Sequence, residues 1–309
     1  MEGTRRTGGS MGFEDGLKTI VVATDLEGHS EAALEYARKI AGAYGARIVL
    51  SYGLDPLDYA AVDTVPGPLL SQLPEEARAV LNKMSEELAR DGIHSHSEVR
   101  QGTIVRTLLD VAKQYGAGLI VVGTEGKQGA GPVIVGAIAE QLVRLAPCPV
   151  LAVAADWNAG AFRPTPGGPI LLAMEQNEAM KAAVEAATSL AKNFRRPLLV
   201  VHARTAAEAS AFLNPCATNL KDFDIRSTGE FEVRCLVKDG RPIDAVSNAI
   251  AQHRPSILVL GVKRISESGG AHGTAFSLLA SSRVPVLCVP SERGVTPSQF
   301  AAAVPAMTR

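Results

Sequence analysis

Five glycines fall within the fourteen residues 123–136, "GTEGKQGAGPVIVG", directly after the apolar run "LIVV" and directly before the helical pattern "AIAEQLVRLA". Strand, glycine-rich loop, helix start is an order in which a chain can bind an anion. The first turn of a helix presents N–H groups without partners and a partial positive charge. Glycine removes the Cβ that would keep a phosphate away from the backbone. Lys127 would add positive charge there, or else stand solvated. The stretch is no Walker loop, because no Gly-Lys-Ser/Thr follows, and it lacks G-x-G-x-x-G. On residue types alone it is either a phosphate cradle or a connection between strand and helix. A second loop, "TDLEGHS", follows the apolar run "TIVVA", and its Asp25 could accept hydrogen bonds from ribose hydroxyls or a base edge.

Other chemistry is thinner. No G-x-S-x-G elbow occurs, and no residue stands out as a general base, so no catalytic residue is assigned and at most slow ATP turnover is expected. His94 and His96 in "HSHSEV" would share one face of a strand, but two ligands without a third read as surface histidines and not as a metal site.

The two loops can serve one ligand only if a fold brings them together. "TIVVAT" has the continuous apolar, β-branched character of a strand buried on both faces of a parallel sheet. A helix with Ser30 as N-cap and Gly45 just past its end follows. "ARIVLSY" is a second strand, and a helix is expected near 74–91. "HSHSEV" is a third strand, and "GTIVRTLLDVAKQYG" is a helix. "GLIVVG", "VGAIAEQLVRLA" and "CPVLAV" complete a strand-helix-strand. Such alternation gives a parallel sheet covered by helices. In doubly wound sheets ligands sit beyond the carboxyl ends of strands where the order reverses. If the first strand is central, its neighbours include the fourth, and the two loops flank one crevice.

The pattern then repeats. Gly102 aligns with Gly240 and Gly123 with Gly261, both 138 residues on, and "PCPVLAV" matches "RVPVLCV". The expected organisation is a disordered tail over 1–16, a first domain over 17–157, a linker over 158–168, a second domain over 169–290 and a tail over 291–309.

"VVATDLEGHSEAALEYARKIAGAYGARIVL" and "GLIVVGTEGKQGAGPVIVGAIAEQLVRLAPCPVLAV" together resemble the universal stress protein family, over about 17–155 and more faintly over about 169–290. The resemblance implies an α/β fold of two tandem doubly wound domains, each a five-stranded parallel sheet in the order 3-2-1-4-5. It also implies ATP binding through G-x2-G-x9-G-S/T, which Gly123, Gly126 and Gly136 fit. By the same resemblance, Ala23 and Thr24 would line the pocket, Asp25 would contact ribose or adenine, and Tyr52 and Val122 would lie near the base. Gly126, Lys127, Gly136, Ala137 and Ile138 would surround the phosphates. The ligand would be ATP, or AMP or ADP, with magnesium as counter-ion. Ala137 stands where the family usually has Ser or Thr, so one hydroxyl donor, worth about 0.5–1.5 kcal/mol for a neutral bond, is lost. In the second copy Glu175 replaces the acid and Arg264 the second glycine, with one residue fewer before Gly273-Thr274. That site is expected to be degenerate.

Bulk properties agree with a nucleotide-binding regulator. The chain has 309 residues, 46% apolar and 20% charged, with net charge −1, so nothing pulls it toward nucleic acid or an anionic membrane. No apolar run approaches the ~18 residues of a membrane helix. The start has no apolar segment of a secretory signal. Four cysteines without C-x-x-C suit the cytoplasm. The last strands, "CPVLAV" and "VPVLCVP", are apolar edges that would pair with each other in cis, and two chains could then form a homodimer. A regulatory protein partner is expected, and a nucleotide-independent interaction module is the alternative.

Overall fold

The computed structural model describes residues 13–26, 30–55, 67–124, 137–154, 167–175, 177–204, 220–223, 225–263 and 273–291, without the side chains of 67–73 and 137. Among these residues the apolar runs become ten strands of one sheet. The first half contributes β1 (Thr19–Ala23), β2 (Arg47–Leu54), β3 (Ser95–Gln101), β4 (Leu119–Thr124) and β5 (Val150–Ala154). The second contributes β6 (Ile170–Met174), β7 (Leu198–Arg204), β8 (Val233–Asp239), β9 (Ile257–Val262) and β10 (Val286–Pro290). Described helices of the first half are α1 (Phe13–Gly16), α2 (Glu31–Tyr44), α3 (Gly67–Arg90), α4 (Ile104–Tyr115) and α5 (Ala137–Leu145). Those of the second are α6 (Met180–Phe194), α7 (Pro242–His253) and α8 (Thr274–Ser281).

The order across the sheet is β3-β2-β1-β4-β5-β10-β9-β6-β7-β8. Each half therefore has the order 3-2-1-4-5, with parallel pairing inside it. Every residue of β1, β5 and β9 is buried, as uninterrupted apolar runs require when helices cover both faces. Alternation along each strand sorts the core into two layers. Ile20 and Val22 pack with α2, α3 and α6, while Val21 and Ala23 pack with α4, α5, α7 and α8.

The halves join through β5 and β10, which pair antiparallel with Leu151 opposite Leu287. Each apolar edge thereby covers the other. Helices reinforce the seam. The Tyr36 hydroxyl donates to the carbonyl of Ser256, and Tyr44 and Ser189 share a hydrogen bond of 2.9 Å. The Arg144 guanidinium lies 4.9 Å from the centroid of the Phe276 ring, a cation–π contact between α5 and α8.

Two expectations are corrected. The stretch 1–16 is not all tail, because Phe13–Gly16 forms a helical turn. Phe13 sets its ring edge-on to Tyr44 at 6.2 Å, and four residues on Leu17 enters the core. Helical spacing puts these two apolar groups on one side of the turn, which anchors it. The helix expected near 74–91 begins earlier, at Gly67, and carries Pro74 inside it. A proline lacks an N–H and normally marks a boundary, which is why the pattern pointed to a later start. Residues 1–12, 155–166 and 292–309, with most of the expected linker and terminal tail, lie outside the described residues. Cys148 and Cys288 are free and buried, whereas Cys235 is disulfide-bonded. No described helix is long and apolar enough to cross a membrane.

Candidate functional site

β1 and β4 lie side by side, with Ile20 opposite Leu119 and Val22 opposite Val121. β2 flanks β1 on its other side, so successive strands depart in opposite directions from β1. This is the switch point at which open α/β sheets hold ligands. The chain leaves β1 through Thr24 and Asp25 and leaves β4 at Thr124, both at the same carboxyl edge. Ala23 and Val122 form a buried floor, and Gly123 is half-buried.

The loop after β1 is tightly wound. The Thr24 amide donates to the carbonyl of Ser51 at 3.0 Å, and the Thr24 hydroxyl accepts from the Leu26 amide at 3.2 Å. Leu26 itself takes φ 63°, a left-handed conformation that an L side chain pays for with roughly 1–2 kcal/mol. The Asp25 carboxylate folds back toward the start of α2. Its Oδ1 accepts from the Ser30 hydroxyl at 2.9 Å and from the Ser30 amide at 3.4 Å, while Ser30 Oγ accepts from the Asp25 amide at 3.3 Å. Ser30 is indeed the residue before α2, but its hydroxyl serves Asp25 and not an N–H of the helix's first turn.

Tyr52 sits one strand over, half-buried near the end of β2 and opposite Val99. Ala137 opens α5, and half-buried Ile138 packs on the core below it. Gly126, Lys127 and Gly136, and with them most of the glycine-rich stretch, lie outside the described residues. The structure thus groups Ala23, Thr24, Asp25, Val122 and Gly123 at one edge, with Tyr52 beside them.

Two residues escaped the sequence pattern. Ser51, directly beside Ala23 in the register, is 2% exposed, and its hydroxyl has no hydrogen-bond partner. A buried hydroxyl left unpaired costs about 1–3 kcal/mol, so it is an unusual presence in a strand. A polar residue within the apolar run "RIVLSY" was the available signal. Gly53, two residues further, is approached so closely that an added Cβ would lie 3.3 Å from Ile104 Cα. This contact sets the first turn of α4 against the end of β2.

Of the histidine pair, both side chains are exposed, and His96 Nε2 lies 3.4 Å from Glu98 Oε1. Among the described residues no group of three His, Cys, Asp or Glu could hold a metal.

Comparison with known proteins gives consistent results. A family model described as "Universal stress protein family" matches residues 16–154. A universal stress protein of Methanocaldococcus jannaschii is 31% identical over 142 residues, covering 45% of this chain and 84% of the relative. One of Thermus aquaticus is 33% identical over 139 residues, covering 44% of this chain and 98% of the relative. Among solved structures, a universal stress protein of Archaeoglobus fulgidus superposes with a TM-score of 0.70 at 16% identity, over 89% of this chain and 98% of that one. At that identity the likeness is one of fold.

Proposed function

This chain belongs to the universal stress protein family, and we propose that its first half is an adenine-nucleotide site through which it acts as a stress-response sensor or regulator. The observation that carries this is the placement of Asp25 and Gly123 on the two loops flanking one crevice, beside the switch point of the sheet. The Gly123, Gly126 and Gly136 spacing supports it. In this proposal Asp25 receives ribose hydroxyls or a base edge, and Ala23, Thr24, Tyr52 and Val122 border the base. Backbone N–H groups of Gly123, Gly126, Gly136, Ala137 and Ile138 face the phosphates, with Lys127 as a nearby cation. ATP with magnesium is the proposed ligand, and ADP or AMP would use the same base and ribose contacts. The cytoplasm is the proposed location. The second half is proposed to be a divergent second copy of the same unit.

Binding would require Asp25 to exchange or share the Ser30 hydroxyl. That hydrogen bond also favours a second proposal, a nucleotide-independent interaction module in which Asp25 only fastens the start of α2. Calorimetric titration separates the two. The first predicts saturable binding of ATP with magnesium. It also predicts at least about a tenfold loss for Asp25→Ala, since a hydrogen bond to a charged group is worth about 1.5–3 kcal/mol. Absence of heat at millimolar ATP removes it.

A further inference from the structure

The second half carries a crevice of its own at the carboxyl ends of β6, β7 and β9. Between the sheet and the first turns of α7 and α8 lies a chamber of about 200 Å³. Its walls are largely apolar, with Ala173, Val201, Val246, Leu260 and Leu278 among them. A cavity of about 150 Å³ lined by aliphatic and aromatic side chains takes up benzene. The chamber therefore has room for one six-membered ring with a short substituent.

On the other face of the sheet, the same strand end borders a wider cleft of about 720 Å³. Glu175, Glu178 and Asp222 line it, against the single ammonium of Lys263. Met174 and Glu175 line both spaces, so chamber and cleft meet over the end of β6. Three carboxylates against one ammonium make this mouth attractive to a cation and repellent to a phosphate.

The backbone closes the phosphate route as well. Asn177 accepts from the Ala179 amide at 2.9 Å and donates to the Gly261 carbonyl at 3.4 Å and to Glu175 Oε2 at 3.3 Å. The loop after β6 is thereby fastened onto the end of β9. An added Cβ at Gly261 would lie 3.2 Å from the carbonyl carbon of Ala179, so the glycine's missing side chain is filled by protein.

We infer that the second half binds a small organic cation, a single ring carrying an amine, with the ring in the chamber and the ammonium facing Glu175, Glu178 and Asp222. Phosphorylated ligands are excluded from it. This holds whether or not the first half binds a nucleotide.

The test uses the full chain, with benzylamine, benzyl alcohol and benzoate as probes, followed through methyl resonances of Val201, Leu260 and Leu278. Benzylamine is expected to shift these resonances saturably. Benzyl alcohol should bind roughly tenfold more weakly and benzoate more weakly still, as the charge at the mouth requires. Val201→Phe, which fills the chamber, should abolish the shifts. Glu175→Gln, a change at an exposed position, should keep ring binding while reducing the preference for the amine. No saturable shift with benzylamine, or benzoate binding as tightly as benzylamine, would overturn the inference. So would an unchanged amine preference in Glu175→Gln, which remains decisive if the Val201 variant does not fold.

Discussion

Replacing Gly118 with alanine tests whether the α1 turn is an integral part of the fold. Gly118 precedes β4, and its amide donates to the Thr19 carbonyl at 2.9 Å. Its φ is not in the left-handed region, so the backbone itself accepts alanine. The obstacle is Gly16, since an added Cβ would lie 2.2 Å from its carbonyl oxygen and 2.7 Å from its carbonyl carbon, with Leu17 Cα at 2.9 Å. These are backbone atoms, and they are poorly placed to yield. Leu17 is buried, and the Lys18 carbonyl accepts from the Arg47 amide at 3.1 Å. Overpacking of this kind costs about 1–3 kcal/mol. A glycine-to-alanine change at a compatible conformation returns about 0.4–1 kcal/mol through the unfolded chain, leaving a net loss of about 1–2 kcal/mol. Urea denaturation of the full chain measures it. In a chain lacking residues 1–16 the obstruction is gone, so the same substitution should become neutral or mildly stabilising. The double-mutant cycle isolates the coupling. Equal effects of Gly118→Ala with and without residues 1–16 would refute the docking of α1.

Further outcomes follow from helix ends and buried thiols. Arg195 and Arg254 end α6 and α7 at φ 49° and 44°, where the first half has Gly45 and Gly116 at φ 63° and 59°. Both arginines are exposed, so Arg195→Gly and Arg254→Gly should each stabilise the protein by about 0.5–1 kcal/mol, read from the urea midpoint. Burial pushes the Cys288 thiol up from 9.0 to about 12. A raised acid stays neutral in the folded chain while its unfolded counterpart ionises. Its contribution is therefore complete below about pH 9 and is lost as pH rises toward about 12, by up to about 1.4 kcal/mol per pH unit. The stability of Cys288→Ala should fall less steeply over this alkaline range. In the native protein Cys288 should resist alkylation at mildly alkaline pH, as mass spectrometry of the labelled protein would show.

Much of the architecture was legible in local patterns. Uninterrupted β-branched runs announced strands buried on both faces, and Gly45 and Gly116 marked where α2 and α4 end in left-handed turns. Spacing in the chain also identified Asp25 and Gly123 as residues at strand ends. The site was less legible. That Asp25 accepts from Ser30, five residues later, depends on how the loop after β1 coils, and Leu26 at positive φ has no sequence signature. The unpaired hydroxyl of Ser51 is conspicuous only once its neighbours are known.

By itself the sequence determined the alternation of strands and helices and the repetition of that alternation in two halves. Hydrophobic period and helix-ending glycines act over a few residues and are written locally. Tertiary structure alone decided that β5 meets β10 antiparallel, that Phe13 docks on Tyr44, and that a ring-sized chamber lies under α7 and α8. Each joins residues far apart in the chain, where the outcome depends on shape and on which apolar surfaces find each other, and no local periodicity encodes that.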